Sequence, residues 1–143
     1  MGSLSAVATL QLPVRHRERR LGQPVDALLD TATWRALGFV VLCGDESLRF
    51  LPYAASQPGD TEIAVASELM LLDDVAFYRS RAASLRALLG GRVERGGRNA
   101  GVLRDVVLGD LGTIDELELE RRGSLVCVPA AGSTIAPTRA DAA

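Results

Sequence analysis

The sequence predicts a mainly β protein, with two small β-barrels in tandem, one joining α-helix and a disordered C-terminal tail. Three observations predict this fold class. The two halves of the chain share an internal repeat. Short apolar runs alternate with turn signals at regular intervals, as in small barrels and curled sheets. Only one segment, which lies between the two copies, has helical periodicity.

The repeat aligns three pairs of segments. Gly22 and Gly101 are 79 positions apart and Pro52 and Pro129 are 77 apart, so two residues of loop length separate the copies. The aligned pairs are 22–29 with 101–108, 40–42 with 117–119, and 47–52 with 124–129. A copy of about 50–60 residues buries little surface by itself. We therefore expect the copies to pack on each other, on the helix or across a homodimer.

The first copy, residues 7–72, is predicted to form short strands. These lie at 7–14, 25–29, 37–42, 47–51 and 63–65, and turns separate them. The run from Leu37 to Leu42 is almost wholly apolar, which is typical of a strand buried on both faces. Pro52 ends the following strand because proline has no N–H for the ladder.

The connecting segment, residues 73–90, is predicted to be the one helix. Asp73 and Asp74 are favourable at the positive end of a helix dipole. Apolar residues recur at helical spacing and form one stripe: Val75, Tyr78, Ala82, Leu85 and Leu89. Gly90 and Gly91 supply a C-terminal stop. Because an apolar stripe is costly to expose, we expect it to pack on one or both copies.

The second copy spans residues 91–130, with Leu89-Gly90 at its start. Strands are predicted at 101–108, 113–120 and 125–128. In the middle strand, Leu117 and Leu119 alternate with glutamates at 116, 118 and 120, which predicts one buried and one solvated face. From Ala130 onward the sequence is rich in small residues and proline. Residues 131–143 are therefore predicted to be a flexible tail.

Composition excludes several classes of protein. The net charge is -2, which argues against binding nucleic acid through bulk charge. All 16 basic residues are Arg, which is typical of a GC-rich bacterial genome. Cys43 and Cys127 lie in apolar runs, so we expect small buried residues in a reducing cytoplasm, not a disulfide or zinc site. No membrane span, signal peptide or cofactor is expected.

A glycine motif in the second copy carries a family resemblance. Leu-Gly-Gly-Arg-Val at 89–93, then Gly101, Asp105 and an apolar strand, then the strand with Leu117 and Leu119, resembles the PRC-barrel family. The first copy is similar to a diverged member at 22–29, 37–41 and 50–52. The resemblance implies small, strongly bent barrels that contact other proteins and perform no bond chemistry.

Members of that family include the cytoplasmic part of the H subunit of photosynthetic reaction centres. Another is the C-terminal domain of a ribosome-maturation factor. A transmembrane helix like that of the first member and a separate N-terminal domain like that of the second are not expected from this sequence. The resemblance therefore implies a barrel that binds proteins, without the specific function of either member.

The motif residues are expected to be structural: Gly22, Asp26, Pro52, Gly101, Asp105 and Pro129. The glycines allow turns or the close approach of strands. Asp26 and Asp105 occupy the same place in both copies, and we expect each to bond a neighbouring turn backbone or an Arg. A ligand role for these two acids is the alternative.

No catalytic or metal site is expected. The one histidine, His16, lies in a charged stretch, which indicates an exposed loop and not a pocket. Acids at 110, 115, 116, 118 and 120 could recruit a hard cation, but the outer face of a strand explains them better. The glycine pairs lack the context of a phosphate-binding loop.

Two Arg-rich loops are the strongest charge feature. The first has Arg15, Arg17, Arg19 and Arg20, and the second copy has Arg92, Arg95 and Arg98 at matching positions. Together they could form one surface for RNA phosphate or an acidic partner. Glu18 and Glu94 dilute the charge and no aromatic is interleaved for stacking on bases. Solvated turns that protect strand edges are the alternative.

Trp34 and Tyr53 are candidate protein contacts, because exposed aromatic residues favour contact surfaces. The alternative is that Trp34 caps the end of a barrel. The first functional hypothesis is therefore a non-catalytic scaffold that binds a protein partner, with a homodimer as a further option. An RNA- or ribosome-associated assembly factor is the alternative. A small hydrolase or metalloenzyme would need a pocket that brings His16 near an acid and a serine.

Overall fold

Strands make up most of the chain, so the predicted mainly β class is confirmed. The structure is a computed structural model and describes residues 3–136. The strands of the first half are β1 (Leu4–Ser5), β2 (Val14–His16), β3 (Arg19–Asp30), β4 (Arg35–Cys43), β5 (Leu48–Pro52), β6 (Ser56–Pro58) and β7 (Ile63–Val65). Those of the second half are β8 (Ala83–Ser84), β9 (Arg92–Arg95), β10 (Arg98–Leu108), β11 (Ile114–Arg121), β12 (Ser124–Pro129) and β13 (Ser133–Ile135). The helices are α1 (Ala6–Thr9), α2 (Val75–Arg79) and α3 (Leu85–Leu88), with single 3-10 turns at Tyr53–Ala55, Glu68–Met70 and Asp110–Gly112.

Each repeat builds one sheet. The first has the order β5-β4-β3-β2-β7-β6, and the second has the order β12-β11-β10-β9-β13. The strands pair antiparallel, except that β2 and β7 are parallel. In addition, β8 pairs with β3 and β1 pairs with β10.

The two short strands β1 and β8 are exchanged between the repeats. β1 belongs to the first repeat but pairs with β10 of the second, whereas β8 precedes the second repeat and pairs with β3 of the first. Ser5 and Ser84 stand at the offset of 79 that also relates Gly22 to Gly101. The contacts are therefore reciprocal, as in a two-fold symmetric dimer built within one chain.

The long strands β3 and β10 carry matching irregularities. Register shifts occur between Pro24 and Asp26 in β3, and between Leu103 and Asp105 in β10. A second shift follows between Leu28 and Leu29 and between Val107 and Leu108, where the extra residue lies in the partner strands β4 and β11. Bulges bend a strand and increase its twist, so each repeat curls its sheet at the same two places.

The pairing corrects one segment of the repeat alignment. Asp26 pairs with Val40 and the equivalent Asp105 pairs with Glu118, so the counterpart of Val40 is Glu118 and not Leu117. The segment that joins these paired residues of β10 and β11 is therefore one residue shorter than the segment that joins those of β3 and β4. A one-residue slip moves every side chain to the opposite face. With the corrected register, Phe39 and Leu117 are counterparts, and both are buried.

One hydrophobic core serves both repeats, which confirms that the copies pack on each other. From the first repeat it contains Val14, Leu29, Phe39, Val41, Leu51 and Ile63, among others. From the second it contains Val93, Leu103, Val106, Leu108, Leu117 and Leu119, among others. Across the junction, Arg35 pairs with its own counterpart Thr113, and the N–H of Ile114 donates to the carbonyl of Trp34 at 2.8 Å.

The single helix predicted over 73–90 is not observed. Two short helices, α2 and α3, stand there, with the extended pair Ala83–Ser84 between them. The residues of the predicted apolar stripe do pack in hydrophobic clusters, but they belong to two separate ones. Val75 and Tyr78 cover the outer face of the first sheet, whereas Leu85 lies in the main core. Pairing of β8 with β3 requires extended backbone in the middle of the segment, which interrupts a continuous helix.

Two further expectations differ from the structure. Residues 7–14 are not a strand, because α1 begins at Ala6 and β2 begins at Val14. The predicted flexible tail, 131–143, includes β13, which pairs with β9 and closes that side of the second sheet. Residues 137–143 lie outside the described part of the chain. Among residues 3–136, no helix is long and apolar enough to cross a membrane.

Candidate functional site

The paired aspartates join the two repeats. Asp105 accepts hydrogen bonds from the Ser5 hydroxyl, from the N–H of Val7 at 2.9 Å and from the N–H of Val106 at 2.7 Å. The carboxylate is therefore held at the start of α1, in the other repeat. We call this arrangement an aspartate clasp. Asp105 is only 9% exposed, so its donors saturate a carboxylate that has little access to water.

The first repeat has the same clasp. Asp26 accepts from the Ser84 hydroxyl, from the N–H of Arg86 at 3.1 Å and from the N–H of Ala27 at 2.8 Å. Both acids thus bond backbone N–H groups and a serine, not an Arg side chain. These contacts are structural and leave few acceptor positions for a ligand.

The other motif residues shape the strands beside the clasps. A Cβ at Gly22 would lie 2.5 Å from the carbonyl oxygen of Leu42, and one at Gly101 would lie 2.8 Å from that of Glu120. Glycine is needed at both positions because the neighbouring strand approaches so closely. Pro52 and Pro129 end β5 and β12, the strands at one end of each sheet.

The Arg-rich loop of the first repeat is the β2–β3 hairpin. Arg15 donates to the carbonyl of Glu18 at 3.4 Å, Arg19 pairs with Glu68 at 3.2 Å, and Arg20 donates to Gln23 at 2.9 Å. Arg17 is exposed, has a φ of 57° in the turn, and is in no ion pair within residues 3–136. Three of the four guanidinium groups are therefore engaged by the chain itself.

The equivalent β9–β10 hairpin uses its arginines differently. Arg92 pairs with Glu94 at 3.1 Å. Arg95 Nη1 donates to the carbonyls of Pro129 and Ala131 at 2.7 and 2.9 Å and to the Ser133 hydroxyl at 2.7 Å. Arg95 thus fixes the turn that leads into β13. Arg98 is exposed and, in the described chain, is in no ion pair. No hydrogen bond or ion pair among residues 3–136 joins the two hairpins.

A groove of about 670 Å³ lies between the β2–β3 hairpin, the β4–β5 turn and the segment that precedes α2. Arg49 crosses it and pairs with Asp45 at 3.3 Å and Asp73 at 2.5 Å. The pKa of Asp45 is lowered to about 2, first because Ser47 donates its hydroxyl and backbone N–H to the carboxylate. Burial raises the pKa of the Cys43 thiol. The groove therefore holds paired charges and a thiol whose pKa is raised.

His16 does not line this groove. Its Nδ1 is 3.0 Å from the carbonyl oxygen of Val65, so the ring connects β2 to β7. Within residues 3–136, His16 has no hydrogen bond to a carboxylate or to a serine hydroxyl. The same part of the chain contains no group of three or more His, Cys, Asp or Glu arranged to hold a metal ion.

Trp34 and Tyr53 lie at the junction of the repeats. Trp34 is half-buried and packs against the main core. Tyr53 is buried against Phe39, with ring centroids 5.8 Å apart, and its ring lies beside Gly112 of the second repeat. Burial, followed by the charge of Asp110, raises the pKa of Tyr53. Both aromatic residues are thus used in internal packing.

The most exposed apolar strand of the described chain is β12, which contains Cys127. Leu125 is 62% exposed, Val126 is 38% exposed, and Cys127 is exposed as well. The expectation that both cysteines are small buried residues is therefore wrong for Cys127, and Cys43 is only partly buried. The reason is that β12 is the last strand of its sheet, a position that an apolar run cannot reveal by itself.

The counterpart of β12 in the first repeat, β5, is covered by the chain itself. Phe50 exchanges two backbone hydrogen bonds of 2.8 Å with Leu72, so the connecting segment adds a residue to the free edge of β5. The ring of Tyr78 then stacks on Phe50 with centroids 4.0 Å apart. Val40 and Val75 complete this outer cluster.

The second repeat replaces these apolar residues with polar ones. The counterparts of Val40, Phe50 and Val25 are Glu118, Cys127 and Arg104. Glu116, Glu118 and Glu120 together form an acidic strip on β11, directly beside β12. Glu120 pairs with Arg104 at 3.0 Å. No segment among residues 3–136 covers the free edge of β12, which we call the open edge.

Comparison of the chain with protein-family models and with curated proteins finds no match. The choice of a functional site therefore depends on geometry. The clasps, the groove and the two aromatic residues are occupied by internal contacts. The open edge of β12 and the acidic strip beside it form the candidate site.

Proposed function

We propose that this chain is a non-catalytic protein-interaction module, a scaffold or adaptor of the PRC-barrel type. The observation that carries the proposal is the difference between two equivalent strands. The connecting segment covers β5, whereas β12 presents exposed Leu125, Val126 and Cys127 at the end of its sheet. Exposed apolar edge strands add strands from other chains, and proteins that have no use for such an edge usually protect it.

The barrel assignment is supported by the curvature of each repeat. β3 and β10 carry two bulges each, at matching positions, one opposite β4 or β11 and one opposite β2 or β9. Both strands also pair along both sides. β3 pairs with β2, β4 and β8, and β10 pairs with β9, β11 and β1. A long bulged strand that pairs with neighbours on both sides is a device for curling a small sheet around a core.

The non-catalytic assignment is supported by how the polar side chains are used. Asp26 and Asp105 hold helix starts, and Arg95 holds a turn. Burial raises the pKa of both thiols, which favours the unreactive protonated form. The two aspartates and Arg95 are thus engaged in holding the fold together, which supports a non-catalytic role.

RNA binding is the second candidate. Arg17 and Arg98 support it, because each is exposed at a hairpin tip and in no ion pair within residues 3–136. A factor of this kind would contact phosphate through these tips and would bind more weakly as salt increases. The engagement of Arg19, Arg20 and Arg95 by the chain itself leaves little further positive charge for such a surface.

Capture of partners by the full chain under mild crosslinking, combined with RNA titration at low salt, tests the two candidates. We expect a reproducible stoichiometric protein partner. We also expect that replacing Arg15, Arg17, Arg19 and Arg20 by Ala leaves its recovery unchanged. If capture recovers no stable protein, and RNA binds in a salt-dependent way that the four replacements abolish, the interaction-module proposal is wrong.

A further inference from the structure

The backbone of β12 presents hydrogen-bonding groups outward. In the first repeat, the N–H and C=O of Phe50 point away from β4 and bond Leu72. Cys127 is the counterpart of Phe50 and has the same register on β11, opposite Glu118. Residues two apart on a strand face the same edge, so the N–H and C=O of Leu125 and Cys127 both point away from the sheet.

The surface beside these groups is negative. Glu116 is exposed and Glu118 is half-buried, and neither carboxylate is in an ion pair within residues 3–136. They pair across the ladder with Pro129 and Cys127 of β12. The pKa of the Cys127 thiol is raised, first by burial and then by the charges of Glu116 and Glu118. A strand added to the open edge would therefore lie close to two unneutralised carboxylates.

The way in which the connecting segment covers β5 indicates how a partner strand would bind at β12. Leu72 adds to the β5 edge in antiparallel orientation, and the following residues place Val75 and Tyr78 over Val40 and Phe50. There an apolar segment covers an apolar face. The same geometry on the second repeat would bring the covering side chains over Glu118 in place of Val40.

We propose that the open edge of β12 binds an extended basic segment of a partner protein as an added antiparallel strand, with Lys or Arg side chains over Glu116 and Glu118. This inference rests on the proposed function and specifies the surface and the chemistry of its partner. Backbone bonds to Leu125 and Cys127 supply affinity, and the two glutamates select basic side chains.

A second copy of the chain fits this surface less well. Pairing of β12 with another β12 would satisfy the same backbone groups. However, Ser124–Pro129 contains no basic residue, so the paired strand itself would bring no positive charge over Glu116 and Glu118. Charge complementarity therefore favours a basic segment of another protein over self-association.

The test is selection of random 12-residue displayed peptides on the immobilised full chain, followed by titration of the enriched peptides. Cys127→Pro and Leu125→Pro each remove one outward N–H without removing a ladder bond to β11. Cys127→Ser is the matched control, because it keeps that N–H. Glu116→Gln with Glu118→Gln removes the charge, and Glu46→Gln with Glu62→Gln is a control of equal charge change on the first repeat.

We expect enriched peptides that carry Lys or Arg at alternating positions. Their affinity should fall about tenfold in either proline variant and in the Glu116/Glu118 variant, and should stay within about twofold in both controls. Circular dichroism and thermal unfolding establish that each variant is folded. Enriched peptides without basic residues, or affinities that all the variants leave unchanged, would overturn the inference.

The mass of the full chain in solution, together with the recovery of native partners, distinguishes the remaining outcomes. A dimer of the full chain that Cys127→Pro and Leu125→Pro dissolve would assign the edge to a second copy and overturn the basic partner. A native protein partner that both proline variants retain would overturn this inference and leave the proposed function intact. Absence of both a native partner and any enriched peptide would reject the two together.

Discussion

At the scale of single residues, the buried polar side chains connect distant parts of the chain. Ser5 and Asp105 are 100 positions apart, and Ser84 and Asp26 are 58 apart. Each serine also caps the helix that follows it, by accepting from the N–H of Ala8 or Ala87. One hydroxyl therefore takes part in both a helix cap and a contact between repeats. Each clasp fixes the position of a helix start relative to a bulged strand.

Replacement of Asp105 by Ala is expected to lower the free energy of unfolding by about 1–3 kcal/mol, because buried donors lose their acceptor. Ser5→Ala should cost about 1 kcal/mol through loss of the cap. Because the two groups share a hydrogen bond, the double variant should cost less than the sum of the single ones. Urea unfolding measures all three, and Asp60→Ala, at an exposed turn, is the control. Strict additivity of Ser5 and Asp105 would contradict the clasp.

Asp45 is expected to give a small pH-dependent contribution to stability. Its pKa is lowered from 3.8 to about 2 in the folded chain, chiefly by Ser47 and then by Arg49. A depressed carboxyl pKa stabilises the fold above the unfolded value, and this stabilisation is lost as pH falls toward 2. The Asp45→Asn variant should therefore be less stable than the parent at pH 6 and should lose most of this difference by pH 2. Urea unfolding at the two values measures this. A difference that persists undiminished at pH 2 would show that the carboxylate charge is not the cause.

The sequence predicted that Asp26 and Asp105 occupy equivalent positions of the repeat, and it also predicted that they have a structural role. Their partners could not be predicted, because a clasp depends on which helix start the folded chain brings to the bulge. The sequence neighbourhood of Asp105 contains no indication of Ser5. Only the exchange of β1 and β8 places each serine beside the aspartate of the other repeat.

At the scale of elements, burial of a strand or helix depends on its neighbours more than on its own pattern. The near-continuous apolar run of β4 correctly predicted burial on both faces, apart from exposed Leu42 at its end. The similar run of β12 did not, because no described element covers its outer side. The stripe over 73–90 was likewise divided between two clusters by the extended residues of β8. Local periodicity identifies apolar faces but not what covers them.

The connection between β10 and β11 contains a backbone position that can be improved. Leu111 has a φ of 62° and is 87% exposed, so it bears the cost of a left-handed conformation without burying its side chain. Leu111→Asn should raise the free energy of unfolding by about 0.5–1 kcal/mol, since Asn adopts this conformation more easily. Leu111→Val, which is β-branched, should lower it. Thermal unfolding of both variants measures the effect. If Asn gives no gain over Leu, this turn is not a source of strain.

At the scale of the whole molecule, the duplication resembles a two-fold dimer joined into one chain. Each repeat supplies a short strand to the sheet of the other, and the main core contains residues of both. A repeat on its own would lose its added strand, its clasp and part of its core. The outer faces of the copies have diverged: one repeat became apolar and self-covered and the other became acidic and open. The two repeats thus stabilise each other but present different surfaces.

This arrangement predicts that the two repeats unfold in one transition, as small single domains usually do. Trp34 is the one tryptophan of the chain and lies in the first repeat at the junction, so its fluorescence reports on that repeat and its contact with the second, while circular dichroism reports on both repeats as a whole. Leu117→Ala, in the core of the second repeat, should cost about 2–5 kcal/mol and shift both signals equally along the urea axis. Leu125→Ala, the same change on the exposed edge of the same sheet, should shift neither by more than about 0.5 kcal/mol. If the Trp34 signal keeps its midpoint in Leu117→Ala while circular dichroism shows an earlier step, the repeats are independent domains. In that case the exchanged strands contribute little to the stability of either one.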